Sequence, residues 1–382
     1  MTAPDLDGDL TEVVANRHII VCTGSGGVGK TTAAATLAVA AAKMGRRTIV
    51  VTIDPARRLA QSMGLNELDN IPRAVAGVEN LDAMMLDMKR TFDEVIDRHA
   101  EDPAKADRIK SNTFYQQISA QLAGTQEYMA MEKLYDLHTT GRYDCIVVDT
   151  PPTRNALDFL DAPKRLTDFL DGRFLKMFLS GPVSAGRRIG KVAAFGTGLF
   201  MKAASRITGA GVLDDLAEFF QSFEGMYDGF KQRAQAVYKL LASGDAAFVV
   251  VSTADPGALR EARYFVQRLA KDGMPLAGLV INRVSPPLSP QLAQHLEVLG
   301  EEGIEALAGG GDEARAVAGL LRLAQRQADV NARQTQAVGA GLHGLDPHTL
   351  VQVPLMATDV HDLSGLEDIA GHLVSPYAQG PA

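Results

Sequence analysis

Five short apolar runs punctuate the chain, and none of them alternates hydrophobic with polar positions: His18 to Thr23, Thr48 to Ile53, Cys145 to Val148, Phe248 to Ser252 and Leu276 to Ile281. Runs that stay apolar at every position suit strands covered on both faces, as in a parallel sheet wrapped by helices. Between them the apolar residues fall at helical spacing, as in Gly124 to His138 and Ala262 to Lys271, and Lys30 to Met44 is alanine-rich with high helix propensity. Strand and helix signals in this alternation predict a doubly wound, mainly parallel α/β sheet.

One long stretch, Asp158 to Gly244, carries no strand signal. Leu213, Leu216, Phe220, Phe223, Tyr227, Phe230, Ala234, Val237 and Leu241 follow one another at alternating steps of three and four, which predicts a single long amphipathic helix. Leu166, Phe169, Leu170, Phe174, Met177 and Phe178 form an earlier apolar face, and glycines break up what lies between. The expected organisation is an α/β domain over residues 1–157 and 245–382, interrupted by a helical insertion over 158–244. A second region, 285–344, is rich in Ala, Gly and Gln and predicts a helical surface excursion with a flexible tip at Gly309 to Gly311. No internal repeat is visible.

Of the 382 residues, 46% are hydrophobic and 22% charged, which excludes wholesale disorder. The net charge of −8 argues against indiscriminate binding to nucleic acid. That charge is unevenly spread. Asp161 to Ala210 holds nine Lys and Arg against three Asp, an excess of six, so the rest of the chain stands at −14. Phe169, Phe174, Met177, Phe178, Phe195, Phe200 and Met201 interleave with these cations. Such a surface suits an apolar client segment or a membrane headgroup region; equally, its apolar faces could pack on each other and on a second subunit. Cys22 and Cys145 lie in separate strand-like runs and form no CxxC pair, so neither a zinc site nor a disulfide framework is expected. The N-terminus is acidic without an apolar lead, and no apolar run approaches the roughly 18 residues that cross a bilayer, so the expectation is a cytoplasmic protein.

Candidate chemistry begins directly after the first run. Gly24 to Thr31 (GSGGVGKT) satisfies G-x-x-x-x-G-K-[ST] between a strand and a helix, the setting this motif requires. Glycines let consecutive backbone N–H groups turn inward, and the helix N-terminus adds partial positive charge, so Gly26, Gly27, Val28, Gly29, Lys30, Thr31 and Thr32 are expected to cradle the phosphates of ATP or ADP. Lys30 would reach the β- and γ-phosphates and Thr31 would ligate Mg²⁺. Asp54 closes the second run in IDPARRLAQSMG, where it could orient a water or assist the metal, although Asp-Pro is also a common turn start. Asp149 closes the third run in YDCIVVDTPPT, the place of a second metal-positioning carboxylate.

GSGGVGKTT, VTIDPARRLAQSMG and VVDTPPTRNALDFLDAP resemble the ATP-site, first-switch and second-switch segments of the ArsA-type ATPases, which include arsenite-pump and tail-anchored-protein-targeting members. The likeness runs on through Gly124 to Glu127, VSTADPGALREARYFVQRL, Ile281 to Arg283 and VPLMATDVHDLSGLEDIA, and is nearest to actinobacterial members in which two paralogous subunits pair. The resemblance implies a dimer, homomeric or with a paralogue, and a nucleotide bound near its interface. It further implies Asp54 as the residue that activates the attacking water, and Asn282 with Pro354 and Leu355 as the frame of the adenine. Ser25 stands where the family carries a lysine that crosses the dimer, a departure that implies either slow hydrolysis or a partner that supplies its own lysine. Arg154 and Asn155 replace the Gly-His of the second switch. The family's zinc-binding and arsenite-binding cysteines are missing, so neither site is expected. A partition-type ATPase with DNA or membrane attachment is a further reading, against which the C-terminus HLVSPYAQGPA, neither basic nor amphipathic, counts.

Overall fold

A computed structural model describes residues 8–54, 58–65, 67–118, 125–150, 227–345 and 349–375. Most of the expected insertion, including its basic Phe- and Met-bearing part, Arg154, Asn155 and the helix read from Leu213 to residue 226, lies outside the described residues.

The first half of the chain contributes α1 (Thr11–Asn16), β1 (Ile19–Gly24), α2 (Lys30–Lys43), β2 (Thr48–Thr52), α3 (Arg58–Ser62), β3 (Arg73–Ala74), β4 (Leu81–Met85), α4 (Met88–His99), α5 (Pro103–Ser111), α6 (Thr113–Ile118), α7 (Thr125–Thr139) and β5 (Cys145–Asp149). The second half contributes α8 (Tyr227–Leu241), β6 (Ala246–Thr253), α9 (Pro256–Lys271), β7 (Leu276–Val284), α10 (Pro290–Ala308), α11 (Asp312–Gly341), β8 (Leu350–Pro354) and α12 (Leu363–Leu373). Eight strands form one sheet in the order β3-β4-β2-β5-β1-β6-β7-β8, and every pairing is parallel except the short β3–β4 ladder. The doubly wound α/β expectation is met. The five apolar runs are its central strands, and β3, β4 and β8 are additions at the two edges.

The uniformly apolar strands split their residues between two cores, one on each face. Ile19, Val21, Ile49, Val51, Phe248 and Val250 join the side chains of α4, α7, α8 and α9 in one. Ile20, Cys22, Val50, Val147, Val249 and Val251 join α2 and α12 in the other. Period-two geometry sends successive residues to opposite cores, so these strands are buried along almost their whole length. The alanines of α2 serve the same packing. Eleven of its fourteen residues are buried, and small side chains let the helix lie close against the sheet.

The second half of the helix read from Leu213 is present as α8, with Ala234, Val237 and Leu241 buried. In the 285–344 region α10 and α11 form an antiparallel pair turned at Gly309 to Gly311. Asp87, Asp102, Asp255, Ser289 and Asp362 cap the helices that follow them, each accepting a backbone N–H from the first turn.

Candidate nucleotide site

The C-terminal ends of parallel strands define one edge of the sheet, and the strand order reverses around β1. The loop from Gly24 to Lys30 sits at that reversal. Gly24 can be nothing larger, since a Cβ there would stand 2.1 Å from the Val251 carbonyl oxygen on β6. Gly29 holds φ at +98°, and its Cβ would stand 2.2 Å from Asn282 Nδ2. The chain therefore curls over the sheet edge and delivers Gly29 as the N-cap of α2, where no side chain caps the helix. Uncapped N–H groups at a helix start form an anion site.

Lys30, the first residue of α2, is buried, and its Nζ donates to the Ser25 carbonyl at 2.9 Å. Burial lowers its pKa, against the opposing pull of Asp149 and Asp54, and the nearby charge of Arg58 adds to the lowering. Thr31 donates its hydroxyl to Asp149 Oδ2 at 2.8 Å, and Thr52, which faces Asp149 across the β2–β5 ladder, donates to the same oxygen at 2.9 Å. Asp149 is wholly buried, and its second oxygen, Oδ1, has no hydrogen-bond partner among the described residues. Burial pushes its carboxyl up to about 6; the two hydroxyls and Lys30 pull the other way, and Asp54 adds to the rise. An orphaned carboxylate oxygen beside a threonine hydroxyl is the donor set of a hard divalent cation, so the residues fit Mg²⁺.

A cavity of about 590 Å³ opens over this edge, a size that suits a nucleotide. Gly27, Gly29, Lys30, Thr31, Thr32, Asp54, Asn282, Pro354 and Leu355 line it, so the structure brings these expected residues to one place. Val28 turns its side chain into the core and offers its carbonyl to Asn282 Nδ2 at 2.9 Å. Gly26 and Asp149 are not on the cavity wall; Gly26 is an exposed loop residue, and Asp149 lies beneath Thr31. Asn282 Oδ1 accepts from the Arg283 backbone N–H, so its amide is engaged at both ends. Arg58, Gln61 and Arg283, together with Met356 to His361 in part, also line the cavity and were not singled out as site residues from the sequence. The pair Arg57-Arg58 inside IDPARRLAQSMG was the available signal for the first of them.

A glycine-rich strand-to-helix loop with a buried lysine, at the switch point of a parallel sheet, defines a P-loop nucleotide-binding protein. The family model of the anion-transporting (ArsA) ATPases matches residues 17–297, and the chain belongs to that family; it is an ATPase, and a nucleotide is its substrate. It is 27% identical to the ATPase ARSA2 of Chlamydomonas reinhardtii over 386 residues, all of this chain and 91% of the relative. It is 25% identical to the ATPase GET3 of Malassezia globosa over 279 residues, 73% of this chain and 76% of the relative. It is 26% identical to the ATPase ASNA1 homolog 1 of Paramecium tetraurelia over 288 residues, 73% and 79% respectively. Among the described residues no helix is long and apolar enough to cross a membrane.

Proposed function

We propose that this ATPase is a Mg²⁺-dependent switch of the ArsA type, in which the state of the nucleotide governs how the helical insertion (158–244) meets a hydrophobic client or partner, within a dimer. The observation that carries the reading is the convergence of Lys30, Thr31 and the orphaned Asp149 Oδ1 beneath a cavity whose wall includes Asp54. Thr31 and Asp149 would hold Mg²⁺, whose chemistry is to neutralise charge on the phosphates. Lys30 exchanges its bond to the Ser25 carbonyl for a phosphate oxygen, whose negative charge favours the charged form of this buried amine. Asp54, held at the exit of β2 by the bond from its own N–H to Thr52 Oγ1 at 3.2 Å, orients the attacking water. Asn282, Pro354 and Leu355 frame the base.

Thr52 gives the switch its mechanical link. Its hydroxyl touches both Asp149 and the backbone of Asp54, so a change at the metal site reaches the Asp54 loop through one side chain. The test is phosphate release and fluorescent-nucleotide binding by the full chain with Mg²⁺, beside Lys30→Ala. Loss of both in the variant is expected; a wild-type protein that neither binds nor hydrolyses ATP sinks the proposal.

Ser25 favours a second reading. A buried, neutral side chain occupies the position after the first glycine and brings no charge to a neighbouring site. On this reading the chain is the weakly hydrolysing scaffold half of a heterodimer with a lysine-bearing paralogue. Single-turnover assays on the co-purified pair, with each P-loop disabled in turn, separate the two.

A further inference from the structure

We infer that Arg58 is a catalytic residue of this ATPase, its guanidinium engaging the terminal phosphoryl group of the bound triphosphate from within the same chain. The inference rests on the nucleotide reading of the cavity. It starts from the positive charges on the cavity wall, which are Lys30, Arg58 and Arg283. Two of them have partners on the P-loop: Lys30 Nζ bonds to the Ser25 carbonyl, and Arg283 Nη1 reaches the Gly27 carbonyl at 3.5 Å. Arg58 is exposed at the cavity and has no carboxylate within ion-pair distance among the described residues. A guanidinium on the wall of an anion site, with no counter-ion among the described residues, can take its partner from a bound anion.

The sheet order says which end of the nucleotide it meets. β2 and β7 lie on opposite sides of β1 and its loop. Asn282 and Arg283 lie near the C-terminal end of β7, and Pro354 and Leu355 at the end of the neighbouring β8, so the base and ribose would fall on that side. Arg58 opens α3 on the other side, four residues after Asp54, and α3 packs on α2, whose first residue is Lys30. Arg58 and Lys30 line the same cavity wall, with Asp54 beside them. A triphosphate laid from Asn282 across the P-loop would bring its last phosphoryl to the part of the wall that Lys30, Asp54 and Arg58 line, where a diphosphate would not extend. In the transition state for phosphoryl transfer the charge spreads over the equatorial oxygens, where a planar, five-donor cation stabilises it.

The experiment measures Mg²⁺-dependent binding of mant-ADP and mant-ATPγS to the wild-type chain, Arg58→Ala and Arg58→Lys, with single-turnover hydrolysis of ATP alongside. A charge-assisted contact made only to the terminal phosphoryl predicts that Arg58→Ala loses about tenfold or more in affinity for the triphosphate analogue while ADP affinity stays within about twofold. Arg58→Lys restores part of the difference, and single-turnover rates follow the triphosphate. Equal losses for both nucleotides, or no change for either, overturn the role of Arg58 and leave the nucleotide site standing. A wild-type protein that binds neither nucleotide overturns the nucleotide reading itself.

Discussion

Thr52 at the end of β2 and Thr31 at the start of α2 place their hydroxyls on the same oxygen of Asp149, at 2.9 and 2.8 Å. The arrangement occupies Oδ2 and leaves Oδ1 without a hydrogen-bond partner among the described residues. Thr52→Val preserves shape and removes the donor, so a buried carboxylate loses one of its two hydrogen bonds. The expected cost is about 1–3 kcal/mol of stability, with a higher Mg²⁺ concentration for half-maximal nucleotide binding. Chemical denaturation and a magnesium titration check the two effects. Unchanged magnesium dependence would remove Thr52 from the site.

A second buried charge sits under the opposite face of the sheet. Glu132 on α7 is wholly buried and receives the Nε–H of Arg233 from α8, whose other arm bonds Asp136, while Arg98 of α4 bonds Asp136 at 2.6 Å. The Arg233 guanidinium also lies 4.6 Å over the Tyr135 ring. This ties α8, the helix that leads out of the expected insertion, to the body of the domain. Arg233→Met strips Glu132 of its nearest cation and is expected to cost about 3–5 kcal/mol. Arg233→Met with Glu132→Leu removes the buried carboxylate together with its nearest cation and recovers part of that loss. A thermal-unfolding series on the wild type, Arg233→Met, Glu132→Leu and the double variant decides it, and simple additivity of the single substitutions would contradict the coupling.

The His18–His138 contact, ring centroids 4.8 Å apart and edge-on, gives stability a pH dependence. Burial, and then the neighbouring His138 and Arg46, lower the pKa of His18 below its ordinary value, against Asp245 and Asp144. A folded-state pKa below the unfolded one means that the unfolded chain takes up the proton first. Stability is therefore intact above the unfolded value of about 6.5 and falls as pH drops through it toward the folded value. Urea midpoints at pH 5.5 and 7.5 should differ by less in His18→Gln than in the wild type. An equal difference in both would assign the acid sensitivity elsewhere.

The central strands were legible because burial on both faces leaves room for little but apolar and small hydroxyl side chains, as in TIVVT and AAFVVVST. β4, with Asp82 inside LDAMM, and β8, with Gln352 inside LVQVP, lie toward the sheet margins, where one polar position is tolerated and the run loses its signature. The P-loop, Asp54 and Asp149 were legible because each lies within a few residues of a strand end, so local sequence alone sets its place. The wall from Met356 to His361 was not, because β7–β8 pairing and the packing of α12 on α2 bring it to the cavity from about 330 residues away in sequence. The clamp of Arg233 on Glu132 was hidden for the same reason, with 101 residues between its partners. Arg58 was in view as part of a motif, but only the cavity separates it from an ordinary helix-start cation.

The glycines of the P-loop offer a graded test, because their constraints differ in kind. At Gly24 an added methyl meets backbone on a central strand, and neither β1 nor β6 can retreat without opening the ladder Gly24↔Val251. At Gly29 the methyl meets Asn282 Nδ2, a side-chain atom that can withdraw, at the cost of its bond to the Val28 carbonyl. At Gly27 the added methyl finds open space, and only the positive φ of +76° resists. Gly27→Ala is therefore expected to cost about 1–2 kcal/mol from backbone strain alone. Gly29→Ala should add a loss of nucleotide affinity from the freed Asn282 and the distorted helix start. Gly24→Ala should be the most destabilising, about 3 kcal/mol or more, because a rigid carbonyl cannot move aside. Thermal midpoints of the three variants, read with nucleotide affinity for each, give the order. If Gly24→Ala were no worse than Gly27→Ala, the close approach of the P-loop to β6 would be wrong.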